Sequence, residues 1–275
     1  MAEQLTFFAG PEHQPFAFAG GATGALLIHG FPGTPAEMRP LGERLAAAGV
    51  AARGLLLPGF GPDIARLGEV TCEAWLAAVA EEWAATRAAH ERPLLIGYSM
   101  GGALAMLLAA KSPPAALILL SPFWRLGGWQ VQLLPLLKFV FPSIAPFQKA
   151  NFDDPAVRQQ LAAIAPEASL DDPEVQRFFR DEVRLPLRVL DEVRRLGREA
   201  YRAACTVRAP SLVLQAADDG TVSPADTQNL AAEMPAAIYR EVPGNHDFVR
   251  LERGGYDYAS DILAFLNTHP QADHE

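Results

Sequence analysis

An α/β fold, with a mostly parallel central sheet, helices on both faces and an inserted helical cap, is predicted by three features of this 275-residue chain. Short apolar runs of strand length alternate with helical segments, the pattern of parallel strands buried on both faces. One such run meets a helix at a tight turn bracketed by glycines, Gly97-Tyr98-Ser99-Met100-Gly101. Strands then disappear between Ser121 and Cys205, where prolines punctuate a series of helical stretches.

In chain order, Leu5–Phe8 and Phe16–Phe18 flank Gly10-Pro11 and predict an N-terminal hairpin. Strand Ala25–His29 comes next. Thr34-Pro35-Ala36-Glu37 is a capping box with proline at the first helical position, so a helix is predicted over Pro35–Ala48. Strand Val50–Leu56 precedes helix Thr71–Ala89, in which Trp75, Val79 and Trp83 recur every fourth residue and mark the core face. Strand Leu94–Tyr98, a helix after Ser99 and strand Ala116–Leu120 follow. Late strands are Ser211–Ala216 and Ala237–Val242, with a capped helix start at Ser223-Pro224-Ala225-Asp226 between them.

The strand-free stretch divides the chain into a core, residues 1–123 and 205–275, and an insertion, residues 124–204. Helices are predicted near Val131–Phe141, Pro155–Ala165, Pro173–Leu185 and Pro186–Arg202. Asp153-Asp154 and Asp171-Asp172 precede two of them and suit a helix N-terminus. The segment from Arg177 to Arg202 interleaves arginine with acids, which predicts a solvated, ion-paired face.

Composition narrows the function classes. Half the residues are hydrophobic, enough to bury a large core. A formal charge of −9 without any Lys/Arg block argues against nucleic acid and anionic membrane surfaces. No N-terminal stretch pairs basic residues with an apolar run, so no signal peptide is predicted. The longest apolar stretch, Val131 to Phe141, is far too short to span a bilayer. Cys72 and Cys205 suit reduced thiols in the cytoplasm and lack metal-ligand spacing. There is no glycine-rich phosphate cradle. The expectation is a cytoplasmic monomer or homodimer with a small-molecule partner, no cofactor and no metal.

A serine at a sharp strand-to-helix turn has its hydroxyl pushed clear of the backbone, and glycines two residues to either side relieve the crowding. The chain has eight serines, and its glycine and serine frequencies give roughly 0.05 chance occurrences of this motif. The alternative is a serine N-cap in a glycine-rich loop. A nucleophile would also need a base, an acid and oxyanion donors. Among six histidines, His269 and His274 lie in a polar tail, His90 ends a helical stretch, and His13 sits in a Pro-rich turn. His29 ends a strand and leads into Gly30-Phe31-Pro32-Gly33, where a structural role, hydrogen-bonded within the loop, is expected. His246 lies in a glycine-containing loop between the last strand and the last helix. Asp218 and Asp219 follow strand Ser211–Ala216. On their own both read as turn formers, but serine, then acid, then histidine is the order such a sheet imposes around a nucleophile elbow.

These segments together resemble the α/β-hydrolases, in particular the carboxylesterase and monoacylglycerol lipase branch. The likeness rests on His29-Gly30-Phe31-Pro32-Gly33, on Gly97-Tyr98-Ser99-Met100-Gly101-Gly102, and on Gln215-Ala216-Ala217-Asp218-Asp219 with Gly244-Asn245-His246. It covers about residues 20–125 and 205–268, the insertion matching only as a variable cap. The resemblance implies Asp219 as the acid, with Val222 and Pro224 downstream and Asp218 as the fallback. It implies a Ser99–His246–Asp219 triad hydrolysing short- to medium-chain carboxylic esters, monoacylglycerols among the candidates, through an acyl-enzyme. Oxyanion donors would be the backbone N–H groups of Phe31 and Met100. One departure is Phe60, where the branch often has histidine; it should make the mouth of the site more apolar.

The insertion would overhang Ser99 as a lid. Its aromatic first half (Trp124, Trp129, Leu133, Leu134, Leu137, Phe139, Phe141, Phe147) reads either as the wall of an acyl pocket or as packing of lid on core. The expected pocket comprises Gly30, Tyr98, Trp124, Trp129, Leu133 and Leu137. Two rival functions share the fold. One is amide or carbon–carbon cleavage by the same triad, as in aminopeptidases, and the other is ligand binding without turnover.

Overall fold

Five parallel strands and one antiparallel edge strand surround the strand that delivers Ser99. The structure, a computed structural model, describes residues 8, 10–126, 132–154, 157–158, 161, 168–250 and 255–269. The sheet strands are β1 (Phe16–Phe18), β2 (Thr23–Ile28), β3 (Ala51–Leu55), β4 (Arg92–Tyr98), β5 (Ala116–Leu120), β6 (Ser211–Ala216) and β7 (Ala237–Val242). They lie in the order β1-β3-β2-β4-β5-β6-β7, all parallel except β1. Ser99, Asp219 and His246 therefore follow the carboxyl ends of β4, β6 and β7, the edge where open parallel sheets place their ligands.

Alternation along the central strands builds two cores. Leu95, Leu117 and Leu119 point to one face, with Trp75, Val79 and Trp83 of α2 (Cys72–Ala89) and the buried side of α3 (Met100–Lys111). Leu94, Ile96, Ile118 and Leu120 point to the other, against Leu41 and Leu45 of α1 (Arg39–Ala47) and the C-terminal helix Tyr258–Thr268. Strands buried on both faces must be apolar at every position, which is why they read as continuous runs.

Several expected elements differ. The hairpin partner Leu5 to Phe7 lies outside the described residues; Phe16–Phe18 pairs with β3, Phe16 opposite Gly54. Pro11–His13 forms one 3-10 turn. Arg39 reaches back to the carbonyls of Pro11, Glu12 and Gln14, and His13 Nδ1 bonds Thr34 Oγ1 at 2.7 Å. The helix expected over Pro35–Ala48 splits into a 3-10 turn, Pro35–Glu37, and α1. Pro40 has no N–H to continue the first turn. The capping box is half formed: Thr34 accepts from Ala36 N–H, while Glu37 turns away to Gly30.

Among the described residues, those between β5 and β6 add no strand to this sheet, and Leu117 pairs directly with Ser211. The helix expected over Val131–Phe141 is a single turn, Leu134–Leu137; Val131 and most of Pro155–Ala165 lie outside the described residues. Helix α4 (Pro173–Asp181) is capped by Asp172, which accepts from Glu174 N–H at 2.8 Å, and stops four residues before the predicted end. Leu185 precedes a proline and takes up extended backbone, pairing with Ile144. Helix α5 is Leu187–Ala203.

Two of the three acidic residues of α5 are ion-paired as the charge pattern suggested but withdrawn from solvent, while Glu199 is exposed. Asp191 and Glu192 are buried, Asp191 between Lys138 (2.5 Å) and Arg194 (2.6 Å), Glu192 against Arg195 (2.9 Å). Glu192 also accepts the Cys72 N–H at 3.1 Å, putting a carboxylate at the positive end of α2 and tying the insertion to the core. Among the described residues no helix is long and apolar enough to cross a membrane.

Candidate active site

Ser99 sits at the junction of β4 and α3 with φ +50° and ψ −117°, a conformation that a residue with a side chain rarely adopts. Neighbouring backbone holds it there. Ser99 N–H donates to Leu120 O at 2.9 Å, and its carbonyl accepts from Gly102 and Phe123 N–H at 2.9 and 3.0 Å. The flanking glycines are sterically required. A methyl group on Gly97 would lie 2.4 Å from Gly101 O, and one on Gly101 would lie 2.3 Å from Ile28 O.

Three distant segments converge on this turn. His246 Nδ1–H donates to Asp219 Oδ2 at 2.7 Å, which leaves Nε2 to accept from Ser99 Oγ–H at 3.1 Å. Asp219 is buried, whereas Asp218 is exposed and uses its N–H on Gly244 O. Burial alone would raise the Asp219 carboxyl. Bonds and charge from His246, the Val222 N–H and the Ser121 hydroxyl outweigh that and hold it below the usual carboxylate range. Its Oδ1 accepts the N–H groups of Thr221 and Val222 at 2.9 and 2.8 Å.

Two partners of this array carry no motif signal. Fully buried Gln215 donates its amide to Asp219 Oδ2 at 3.0 Å and accepts the Thr227 hydroxyl at 2.6 Å. The hint in sequence was one polar residue near the end of an apolar strand. Ser121, buried with φ +40°, presents its hydroxyl beneath the same loop.

On the other side of Ser99, His29 is buried. Its Nδ1–H donates to Gly30 O at 2.8 Å and its Nε2 accepts Leu57 N–H at 3.1 Å. Burial lowers it to about 4 against the opposing pull of the Gly30 bond, so the ring is neutral and serves as a brace for the loop. Gly30 lies against the elbow; a methyl there would come within 3.2 Å of Ser99 Cβ. Met100 opens α3, so its N–H has no acceptor within the helix. Phe60 is buried rather than at the mouth, stacked edge-on against His29 and Phe31.

The expected pocket residues do not form one wall. Tyr98 is buried in the core, and its hydroxyl donates to His246 O at 3.1 Å, so it supports the histidine loop. Trp124 stacks on Tyr201 with ring centres 4.3 Å apart and donates to Asp226 O. Together with Arg125 and Thr221–Ser223 it lines a small cavity beside Asp219. Leu133, Phe139 and Phe141 face solvent, at 39%, 81% and 54% exposure, and Leu137 is half-buried. Leu134 and Phe147 are buried, Phe147 in a separate cluster with Phe152 and Phe179. Trp129 lies outside the described residues. Residues 133–141 of the insertion therefore carry an exposed apolar surface, with Leu136 and Val140 also in solvent.

One further group, Cys72, Glu73 and Glu192, brings three ligand-type atoms together. Burial, then the Glu192 hydrogen bond, pushes the Cys72 thiol up to about 12, and Arg195 pairs with both carboxylates. A protonated thiol beside neutralised acids is a poor cation site.

Comparison with known proteins points to one family. The family model described as Hydrolase_4, serine aminopeptidase S33, matches residues 24–242. A thermostable monoacylglycerol lipase of Bacillus sp. (strain H-257) is 37% identical over 113 residues, 41% of this chain and 44% of that protein. The match thus spans less than half of that relative's length. Among solved structures, one described with the metagenome-derived lipolytic enzymes LipS and LipT superposes with a TM-score of 0.76 at 20% identity, covering 94% of this chain and 99% of that one. A soluble variant of the Saccharomyces cerevisiae monoglyceride lipase, with a substrate analogue, superposes at 0.66 and 16% identity, covering 94% and 92%. At these identities the likeness is one of fold.

Proposed function

Since the chain belongs to the Hydrolase_4, serine aminopeptidase S33, family of α/β-hydrolases, we propose that it is a serine carboxylic-ester hydrolase acting on short- to medium-chain acyl esters, monoacylglycerols among them. The observation that carries this reading is the unbroken chain of contacts from Ser99 Oγ to His246 Nε2 at 3.1 Å and from His246 Nδ1 to Asp219 at 2.7 Å.

In this mechanism Ser99 Oγ attacks the acyl carbonyl as His246 Nε2 takes its proton. The imidazolium is oriented and stabilised by Asp219, which stays ionised. Negative charge on the former carbonyl oxygen is met by the N–H groups of Met100 and Phe31; one such donor is worth about 3 kcal/mol. Collapse expels the alcohol, which receives the proton from His246 and leaves Ser99 acylated. Water then attacks the acyl group by the same route, giving the acid and restoring the serine. Residues 124–204 act as the cap over the acyl group. The bacterial relative supports monoacylglycerols as the substrate class.

The test is p-nitrophenyl butyrate hydrolysis by wild type and Ser99→Ala, with fluorophosphonate labelling of both. The variant should lose turnover and label; equal rates would remove the hypothesis. A second reading, amide cleavage, is favoured by the aminopeptidase description of the family. Matched ester and aminoacyl-anilide substrates separate the two.

A further inference from the structure

Glu37 is a buried ionisable group beside the site that this mechanism leaves unused. It ends the 3-10 turn after the Gly30–Gly33 loop, with its residue 9% exposed. Its Oε2 accepts the Gly30 N–H at 3.1 Å. The carboxylate lies directly under Gly33, where a methyl group would come within 2.2 Å of both oxygens. On its far side Arg250 Nη2 stands 3.9 Å from Oε1, and Arg250 belongs to the same short turn as His246.

The loop needs such a grip. Gly30 has no side chain to restrict its backbone, so the direction of the next N–H must be set by hydrogen bonds. Gly30 O and Phe31 N–H belong to one planar peptide and point in opposite directions. That plane is held on its carbonyl side by His29 Nδ1–H at 2.8 Å and Gly33 N–H at 3.2 Å. The preceding peptide is held through Gly30 N–H by Glu37.

We propose that Glu37 is the positioning residue of the oxyanion loop: its carboxylate anchors Gly30, thereby aims the Phe31 N–H at the reacting oxygen, and links this loop to the turn that carries the base. The proposal rests on Phe31 being an oxyanion donor. Glu37 acts through the loop and touches no substrate.

A pH signature follows. Burial first, and Asp247 as well, raise the Glu37 carboxyl to about 7, against the lowering effects of Arg250, the Gly30 N–H and His246. The buried Tyr98 hydroxyl also faces this charge. As the pH falls through 7 the carboxylate gains a proton and becomes a weaker acceptor, so the grip on Gly30 loosens. Turnover should then lose two ionisations on its acid side, Glu37 as well as the base.

The experiment compares Glu37→Ala, Glu37→Gln and Ser99→Ala on a p-nitrophenyl ester, with an alkyl boronic acid as the tetrahedral probe. Glu37→Ala should lower kcat about 10- to 100-fold, the scale of a small misplacement, with KM changed less than about twofold. Boronate affinity should fall in step with kcat/KM. Glu37→Gln keeps an acceptor oxygen and should recover to within about threefold of wild type at pH 8, with a shallower acid limb. If Ser99→Ala is inactive while Glu37→Ala keeps full kcat and boronate affinity, the Glu37 proposal is overturned and the triad reading stands. If Ser99→Ala turns over normally, the underlying reading fails instead. Should Glu37→Ala not fold, Glu37→Gln decides alone: an acid limb as steep as that of wild type overturns the proposal.

Discussion

Gln215 and His246 donate to the same oxygen of Asp219, at 3.0 and 2.7 Å. The carboxylate is thus divided between a fixed amide and a ring that changes its charge in the proposed mechanism. Gln215→Leu keeps similar volume and removes the fixed donor. An undivided carboxylate should hold the imidazolium more tightly, moving the acid limb of kcat/KM to higher pH. The Thr227 hydroxyl loses its acceptor as well, so stability should fall by about 1–3 kcal/mol. A pH–rate profile and a denaturation curve check both; an unmoved acid limb would refute the coupling.

The adjacent aspartates should behave very differently. Asp219→Asn presents an amide to His246 Nδ1 and favours the wrong tautomer, with kcat expected to fall about 10⁴-fold. Asp218→Asn changes an exposed side chain and should keep kcat within about twofold. Steady-state kinetics on the two variants are sufficient, and similar losses in both would contradict the assignment.

Gly101→Ala should damage both halves of the site. Its new methyl would meet the carbonyl oxygens of Ile28 and His29 at 2.3 and 2.6 Å, and backbone cannot swing aside as a side chain can. The expected cost is about 1–3 kcal/mol of stability, with a further loss of kcat as the elbow and the His29–Phe31 strand end are forced apart. Gly220→Ala, with no atom inside 4 Å of the added methyl, serves as the matched control and should be silent.

Buried Glu37 and His29 give stability opposing dependences on pH. Folded Glu37 keeps its proton up to about 7, against an ordinary 4.5. Between those values the folded state binds more protons than the unfolded one, so this contribution falls as pH rises. His29, lowered from 6.5 to about 4, does the reverse and favours the fold increasingly as pH rises through that range. Glu37→Gln removes only the first effect. Relative to wild type the variant should therefore gain about 2 kcal/mol between pH 5 and pH 8. Urea denaturation at both values tests this; a constant difference would show that Glu37 is not shifted.

Much of the sheet could be read from the chain because its central strands are apolar runs of strand length separated by turn residues and helical segments. Ala116–Leu120, Ser211–Ala216 and Ala237–Val242 have the predicted bounds. The three polar residues found by motif and order also meet in space. Choosing between Asp218 and Asp219 required more, because neighbouring side chains diverge and only the turn geometry decides which faces inward. The roles of Glu37 and Gln215 were not legible from a capping-box position and a lone polar residue in an apolar strand, since their partners lie in loops whose meeting depends on the whole sheet. The insertion was least legible. Its aromatic residues cluster in sequence, but burial depends on how short helices pack, and Phe139 ends up in solvent while Phe147 does not.

The bonds from Arg39 to Pro11, Glu12 and Gln14, and from His13 to Thr34, stitch the stretch ahead of the first strand onto the turn bearing Glu37. Anyone trimming this protein for expression, or fusing a partner to its front end, should leave that stretch intact from Gly10 onward. A version starting at Phe16 would keep every strand of the sheet and still lose the buttress under the turn that follows the Gly30–Gly33 loop.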